Sequence, residues 1–383
     1  MTTKVHIKKQ MKRGYIFLLI SSVLLLLTNC RSKESILEEA PLIDIAGYEN
    51  NTIDCSQFIS DIDTLLLSVD STCYVSQIQD FCMNDSCIYI LDKDKSVFVF
   101  NSLTGELKNS INKIGRGRSE YLDPKSISEF EGCVYILDFG GRCVLEYDAE
   151  LNFLDRIKIK FTAIDFMKVD DGFLFYNLTA TDKLKRIVHT DNKGNVLNSF
   201  ASSQLNINTI LTERIFCSSG NDGFYISEPV SDIIQEWKDD TVDVAFKFDW
   251  ENKNDITASK TSELITKNGI NILYSLVSSK YVLTQFLGKD FILSNIYNRD
   301  DKTSVSGMVD THLSYPFGPM KITGKSLIGI YESCDNKNLI MVKYNLLDYG
   351  HSGCKLNRDK LVNKIDTYNL LFLTLNALRN HFC

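Results

Sequence analysis

The sequence predicts an all-β fold, a six-bladed β-propeller of four-stranded antiparallel blades closed by an N-terminal strand. Three observations predict it. The stretch Cys87 to Asp92, Cys-Ile-Tyr-Ile-Leu-Asp, returns 46 residues later as Cys133 to Asp138, Cys-Val-Tyr-Ile-Leu-Asp. Each copy is followed by a short polar turn, a second apolar run and a reversal into a further run. A self-similar period of this length built from strands marks a propeller blade. Finally, the last repeat is one strand short, while a strand-like run at residues 62–68 precedes the first. Supplying that strand from the N-terminus closes the ring and removes two open sheet edges.

The first blade is expected over Tyr74 to Asn112, with strands near Ile78 to Met83, Cys87 to Asp92, Val97 to Asn101 and Leu107 to Ile111. The second runs from Pro124 to Ile159, with strands near Ser126 to Phe130, Cys133 to Asp138, Val144 to Asp148 and Phe153 to Ile159. Asp92 and Asp138 end their strands identically, where a carboxylate can accept from backbone donors of the following turn. The third blade reads as Ala163 to Lys168, Gly172 to Tyr176, Arg186 to Thr190 and Val196 to Phe200, with Asp191-Asn-Lys-Gly-Asn195 as a turn. The fourth has Ile215 to Ser218, Phe224 to Ile226, Ile233 to Trp237 and Val242 to Phe248. Polar Glu251 to Asn268 reads as a loop with a short helix inserted between blades. The fifth blade follows at Asn271 to Val277, Tyr281 to Leu287, Asp290 to Tyr297 and Ser304 to Val309. The sixth is Met320 to Thr323, Ser326 to Tyr331 and Leu339 to Leu346. In the tail, Leu361, Ile365, Tyr368, Phe372 and Leu375 recur at helical spacing, so 349–383 is either an amphipathic helix on one face of the disc or an atypical terminus.

The chain has 383 residues and 44% apolar content, enough for one large repeat domain with a buried core. Lys8, Lys9, Lys12 and Arg13 precede an uncharged, mostly apolar run, Tyr15 to Leu27. That is the layout of a signal peptide and is short for a membrane span. Loss of residues 1–29 removes five basic residues and no acidic one, taking the formal charge from −7 to −12. An acidic surface disfavours nucleic acid as a partner. Ten cysteines follow Cys30, so disulfides are open to an exported chain. Cys82 and Cys87 flank a turn-like Met-Asn-Asp-Ser and could face each other. Cys133 and Cys143 are offset along their hairpin beyond disulfide reach. Small buried thiols fit the remaining positions. No cysteine or histidine cluster has zinc spacing.

The apolar run ends Leu26-Leu27-Thr28-Asn29-Cys30, which resembles a bacterial lipobox. The resemblance implies cleavage before Cys30, acylation of its sulfur, and a polar tether over 30–57. A plain secretory signal with a chance cysteine is the other reading. The stretch Ile114-Gly-Arg-Gly-Arg-Ser-Glu-Tyr-Leu-Asp-Pro124 resembles the inter-blade linker of NHL-type propellers. With the Tyr-Ile-Leu-Asp strands and Phe58 to Ile62, the chain over 58–348 is similar to six-bladed β-propeller lipoproteins of Gram-negative bacteria. The resemblance implies a cell-envelope address, periplasmic or surface-exposed, and carries over no catalytic residue. Gly115 and Gly117 suit positive φ or close approach at a blade crossing; without a following Lys-Ser/Thr they make a poor phosphate cradle.

No histidine is near another in sequence, and no nucleophile elbow surrounds a serine. Arg116, Arg118 and Tyr121 in the linker, with Phe139 in the turn Asp138-Phe-Gly-Gly141, are candidates to line a ligand groove at the disc mouth. The other aromatics alternate within strands and belong to the core. The expected function is a lipid-anchored, monomeric binding or scaffolding propeller for a glycan, peptide or protein partner, with no cofactor. The alternative is a lactonase- or lyase-like enzyme with a metal in the channel, for which calcium would be the ion and Asp92, Asp138, Asp222 and Glu228 the available carboxylates.

Overall fold

The computed structural model describes residues 40–48, 51–54, 57–69, 74–201, 214–218, 223–229, 231–249, 271–287, 292–309, 320–323, 326–332 and 339–347. The expected signal segment with Cys30, the expected insertion at 251–268, Asp222 and residues 349–383 lie outside the described residues. Among the described residues there is no α-helix.

Six sheets form the ring. After β1 (Leu42–Asp44), β2 (Thr52–Ile53) and β3 (Ile59–Leu67), blade 1 is β4 (Ile78–Met83), β5 (Cys87–Asp92), β6 (Val97–Asn101) and β7 (Leu107–Ile111). Blade 2 is β8 (Pro124–Phe130), β9 (Cys133–Asp138), β10 (Cys143–Tyr147) and β11 (Phe153–Lys158). Blade 3 is β12 (Ala163–Val169), β13 (Gly172–Asn177), β14 (Ile187–Asp191) and β15 (Val196–Phe200). Blade 4 is β16 (Phe216–Ser218), β17 (Phe224–Ile226), β18 (Ile233–Lys238) and β19 (Thr241–Asp249). Blade 5 is β20 (Asn271–Val277), β21 (Tyr281–Leu287), β22 (Ile292–Asn298) and β23 (Thr303–Val309). Blade 6 is β24 (Met320–Thr323), β25 (Ser326–Glu332) and β26 (Leu339–Leu346), completed on its outer edge by β3.

The N-terminal segment does more than close the ring. Before β3 it lays β1 in parallel on the outer edge of blade 4 and β2 in parallel on the outer edge of blade 5. β3 then runs antiparallel to β26, with Leu67 opposite Leu339 and Ile62 opposite Tyr344. Three consecutive sheet edges are covered by one strap, which withdraws their unpaired backbone groups from outside partners.

The Tyr-Ile-Leu-Asp strands explain why the core lies between blades. Every residue of β5 is buried, because each face of the blade meets another sheet. Ile88 and Ile90 pack toward blade 6 with Ile328, Ile330 and Leu67. Tyr89 and Leu91 pack toward blade 2 with Ile136 and Leu145. Two-sided burial favours a continuous apolar run over alternation, which is how β5 and β9 read. Outer strands lack this constraint; β7 exposes Lys108, Asn109 and Ser110.

The five cysteines described are all free thiols. Cys82 stands opposite Tyr89, so it does not face Cys87. Cys143 stands opposite Asp138, at the far end of β9 from Cys133, so the pair lies out of disulfide reach as expected.

Ring closure puts weight on the inward side of β3. Leu67 is fully buried, whereas its neighbour Leu66 is 51% exposed. Leu67→Ala is expected to cost about 2–4 kcal/mol, and Leu66→Ala no more than about 0.5 kcal/mol. Urea unfolding of the two variants measures the difference; equal midpoints would count against β3 as an integral strand of the ring.

Candidate functional site

The first strands of the blades, β4, β8, β12, β16, β20 and β24, line a central channel of about 880 Å³. A register shift just before Asp80, Ser126 and Asp165 inserts one extra residue in each of three successive first strands. Such bulges re-aim the next side chain. These three residues stand opposite equivalent positions of the second strands, Leu91, Leu137 and Tyr176.

The bulge residues tie the blades together at the wall. Asp80 of blade 1 accepts from the Ile127 amide of blade 2 at 2.9 Å. Asp165 of blade 3 accepts from the Ile215 and Phe216 amides entering blade 4, at 2.8 and 3.1 Å. Between them, the Ser126 hydroxyl lies 3.1 Å from Asp80 Oδ2 and 2.9 Å from Asp165 Oδ1. From the far side, Lys321 of blade 6 ion-pairs with Asp80 at 3.0 Å. A polar chain therefore runs through blades 6, 1, 2, 3 and 4.

Charge on this chain is unevenly shared. Burial, reinforced by Asp80, pushes the Asp165 carboxyl up to about 6 against the pull of its amide donors. The Ser126 hydroxyl carries one proton, so it donates to one carboxylate and must accept from the other. The second bond is complete when Asp165 holds a proton. Burial also raises the channel thiols, Cys217 to about 11 and Cys82 well above its usual range. At neutral pH they are thiols and poor nucleophiles. Lys168 is buried against the Phe130 ring at 4.6 Å, and burial holds its amine below the usual lysine range.

Strand direction sorts the loops onto two faces. The linkers and the β5–β6 and β9–β10 loops share one face. Arg116, Arg118 and Phe139 stand there with Tyr121, and none of the four lines the channel. Arg118 is 77% exposed and pairs with Asp155 at 3.4 Å; Arg116 is exposed. Phe139 is half-buried beneath the amine of Lys125, 5.9 Å from its ring. Tyr121 has no exposed surface. Its ring packs between blades 1 and 2, and its hydroxyl donates to Lys95 O at 2.7 Å. That is a correction to its expected place in a groove: an aromatic at a blade seam gains more from two-sided burial than from water.

The linker glycines make room for a carboxylate. A Cβ on Gly115 would fall 2.0 Å from Glu120 Oε2, and that oxygen accepts from the Gly117 amide at 2.7 Å. Arg156 clamps the same linker by donating to Gly117 O at 2.7 Å and Glu120 O at 2.9 Å, beside Asp138 at 3.6 Å. Asp92 accepts from the following turn at Ser96, as expected, and also from Ser76. Asp138 accepts instead from Leu122 and Asp123 of the preceding linker. Both are structural acceptors. Glu228 is buried.

The channel chain escaped the sequence reading. The available signal was an Asp-Phe pair at the same place in the first strands of blades 1 and 3, Asp80-Phe81 and Asp165-Phe166. A carboxylate inside an otherwise apolar strand is costly unless several donors meet it.

Residues 40–352 match a family described as a domain of unknown function, DUF4934. No curated protein sequence matches the chain. Among solved structures, it is similar to a Bacteroides fragilis NCTC 9343 protein described as exported, with a TM-score of 0.65, 15% identity, and coverage of 80% of this chain and 100% of that one. It is also similar to a member of the DUF4221 family from Bacteroides vulgatus ATCC 8482, with a TM-score of 0.54, 8% identity, and coverage of 76% and 98%. At these identities the likeness is one of fold.

The raised Asp165 carboxyl fixes the sign of a pH dependence. Its ordinary value is 3.8 and its folded value about 6, so folding favours the protonated form. The resulting stabilisation is complete below about pH 4 and lost as pH rises through 6. Relative to Asp165→Asn, the wild-type chain is expected to lose of order 3 kcal/mol across that window. Urea unfolding at closely spaced pH values reads this; parallel profiles would contradict a proton shared along the chain.

Proposed function

The chain belongs to the DUF4934 family, and we propose that it is an exported, lipid-anchored propeller that binds a glycan, peptide or protein partner at one mouth of its channel. One observation carries the reading: a channel of about 880 Å³ in whose wall the buried carboxylates Asp80 and Asp165 are already committed to joining blades. The volume lies within the range of small-ligand sites. Asp80 and Asp165 meet amide, hydroxyl and ammonium donors, so among the described residues these two buried carboxylates are not free to hold a metal in the channel. That favours binding over the lactonase- or lyase-like alternative.

The mouth that best suits a ligand is on the linker face. Lys93 and Lys125 line the channel there, and the exposed Arg116 and Arg118 with half-buried Phe139 stand on the same face. Guanidinium and aromatic groups suit both sugars and peptide ends. The signal-like run to Leu27 and the lipobox-like approach to Cys30 support an envelope address. A similar fold in a Bacteroides protein described as exported agrees with it.

Ser128 lines the channel on β8 with its side chain partly exposed. Screening the intact chain in detergent against immobilised oligosaccharides and short peptides should yield at least one saturable ligand, lost in Ser128→Trp. Binding that ignores the tryptophan, or none across both sets, overturns the channel reading. Separately, Cys30→Ser should move the protein from the membrane to the soluble fraction and abolish palmitate labelling; a wild-type chain that is already soluble and unlabelled contradicts the anchor.

A further inference from the structure

A second polar constellation lies at the seam of blades 3 and 4, outside the channel wall. Asp171 sits in the β12–β13 turn, His189 on β14, and Asp240 in the β18–β19 turn. His189 is 2% exposed, and Trp237 packs against its ring with centroids 4.7 Å apart. Its Nε2 lies 3.2 Å from Asp171 Oδ1, and its Nδ1 lies 4.0 Å from Asp240 Oδ1. One donor atom from each of the three residues falls within 4.8 Å of the others.

We propose that Asp171, His189 and Asp240 form a binding site for a divalent transition metal of the zinc type, which fastens blade 3 to blade 4. A buried imidazole needs polar partners. Among the described residues, Asp171 and Asp240 are the carboxylates that face its two nitrogens, one from each blade. The 4.0 Å gap to Asp240 is too long for a hydrogen bond. An ion would take one ring nitrogen, and both carboxylates would turn to that side of the ring. Tetrahedral zinc with bonds of about 2.0–2.1 Å holds its donors about 3.3–3.4 Å apart. Reaching that spacing from 4.8 Å requires a movement of roughly 1.5 Å. The two carboxylates can supply it, because their side chains are 54% and 71% exposed while the imidazole is fixed.

The donor set selects the ion. One imidazole nitrogen with two carboxylates suits zinc and its neighbours, whereas calcium takes oxygen ligands alone. Three protein ligands leave a position for water, and the two exposed carboxylates put that position on the solvent side. The site would therefore load from solution after folding. It is independent of the channel ligand and survives if that reading fails.

The test uses the intact chain, purified in detergent and stripped with chelator, then titrated with zinc chloride by calorimetry. One ion per chain is expected to saturate, with a rise in melting temperature that chelator reverses. Asp171→Asn and Asp240→Asn should each weaken binding about tenfold or more, and His189→Gln should remove the site. Asp155→Asn, an exposed carboxylate on blade 2, should leave it unchanged. No saturable zinc binding, or binding equal in wild type and all three site variants, overturns the proposal and leaves a hydrogen-bonded His–Asp pair. Both carboxylates are at the surface, so loss of binding in their variants is not confounded by unfolding.

Discussion

The antiparallel pairing of β3 with β26 is the interaction on which the rest of the ring depends. Each blade buries both faces only if it has a neighbour on either side. Without β3 in place, blades 1 and 6 would lose one flank of a shared core that holds Ile88, Ile90, Phe98, Phe100, Ile328 and Ile330. Treated as a flexible loop, the chain between the two strands would cost about 5 kcal/mol to close. Each of those side chains returns about 1.5–3 kcal/mol on full burial. Burial at the seam therefore outweighs the cost of joining the ends.

Two further devices keep the blades in place, one outside and one inside. Outside, β1 and β2 reach blades 4 and 5 before β3 completes blade 6, so a single segment fixes half the circumference. Inside, Asp80, Ser126 and Asp165 carry hydrogen bonds from one first strand to the next, with Lys321 at one end and the Ile215 and Phe216 amides at the other. Backbone amides near the channel lack a ladder partner across the seam, and these carboxylates supply one. The polar groups of the wall are thus part of the scaffold.

Most of the fold was legible because two-sided burial writes a strong signature. The runs at 87–92 and 133–138 are apolar throughout and end in the same aspartate, and their strands agree with expectation to the residue. Boundaries drifted where a turn residue pairs: the end of β14 reaches Asp191, whose carboxylate also accepts from the Lys193 and Asn195 amides. β1 and β2 were not foreseen, since three and two residues are too short to show a period. The polar clusters were harder still. Asp80 meets Ser126, and His189 meets Asp171 and Asp240, only through ring geometry, and no spacing in the sequence records a contact between blades. Tyr121 was misplaced because a linker position suggests exposure, whereas this linker threads between two sheets.

A closed ring with a polar interior offers a binding protein a rigid rim on which loops can vary without disturbing the sheets. That advantage exists only if the ring is one cooperative unit fastened by β3. Native-state hydrogen exchange tests this most directly. The amides of β3 that bond to β26 should exchange with the same free energy as those of β5 and β9, all at the global unfolding limit. Exchange of β3 orders of magnitude faster than β5 and β9, with the remaining blades still protected, would contradict closure as the constraint that holds the fold.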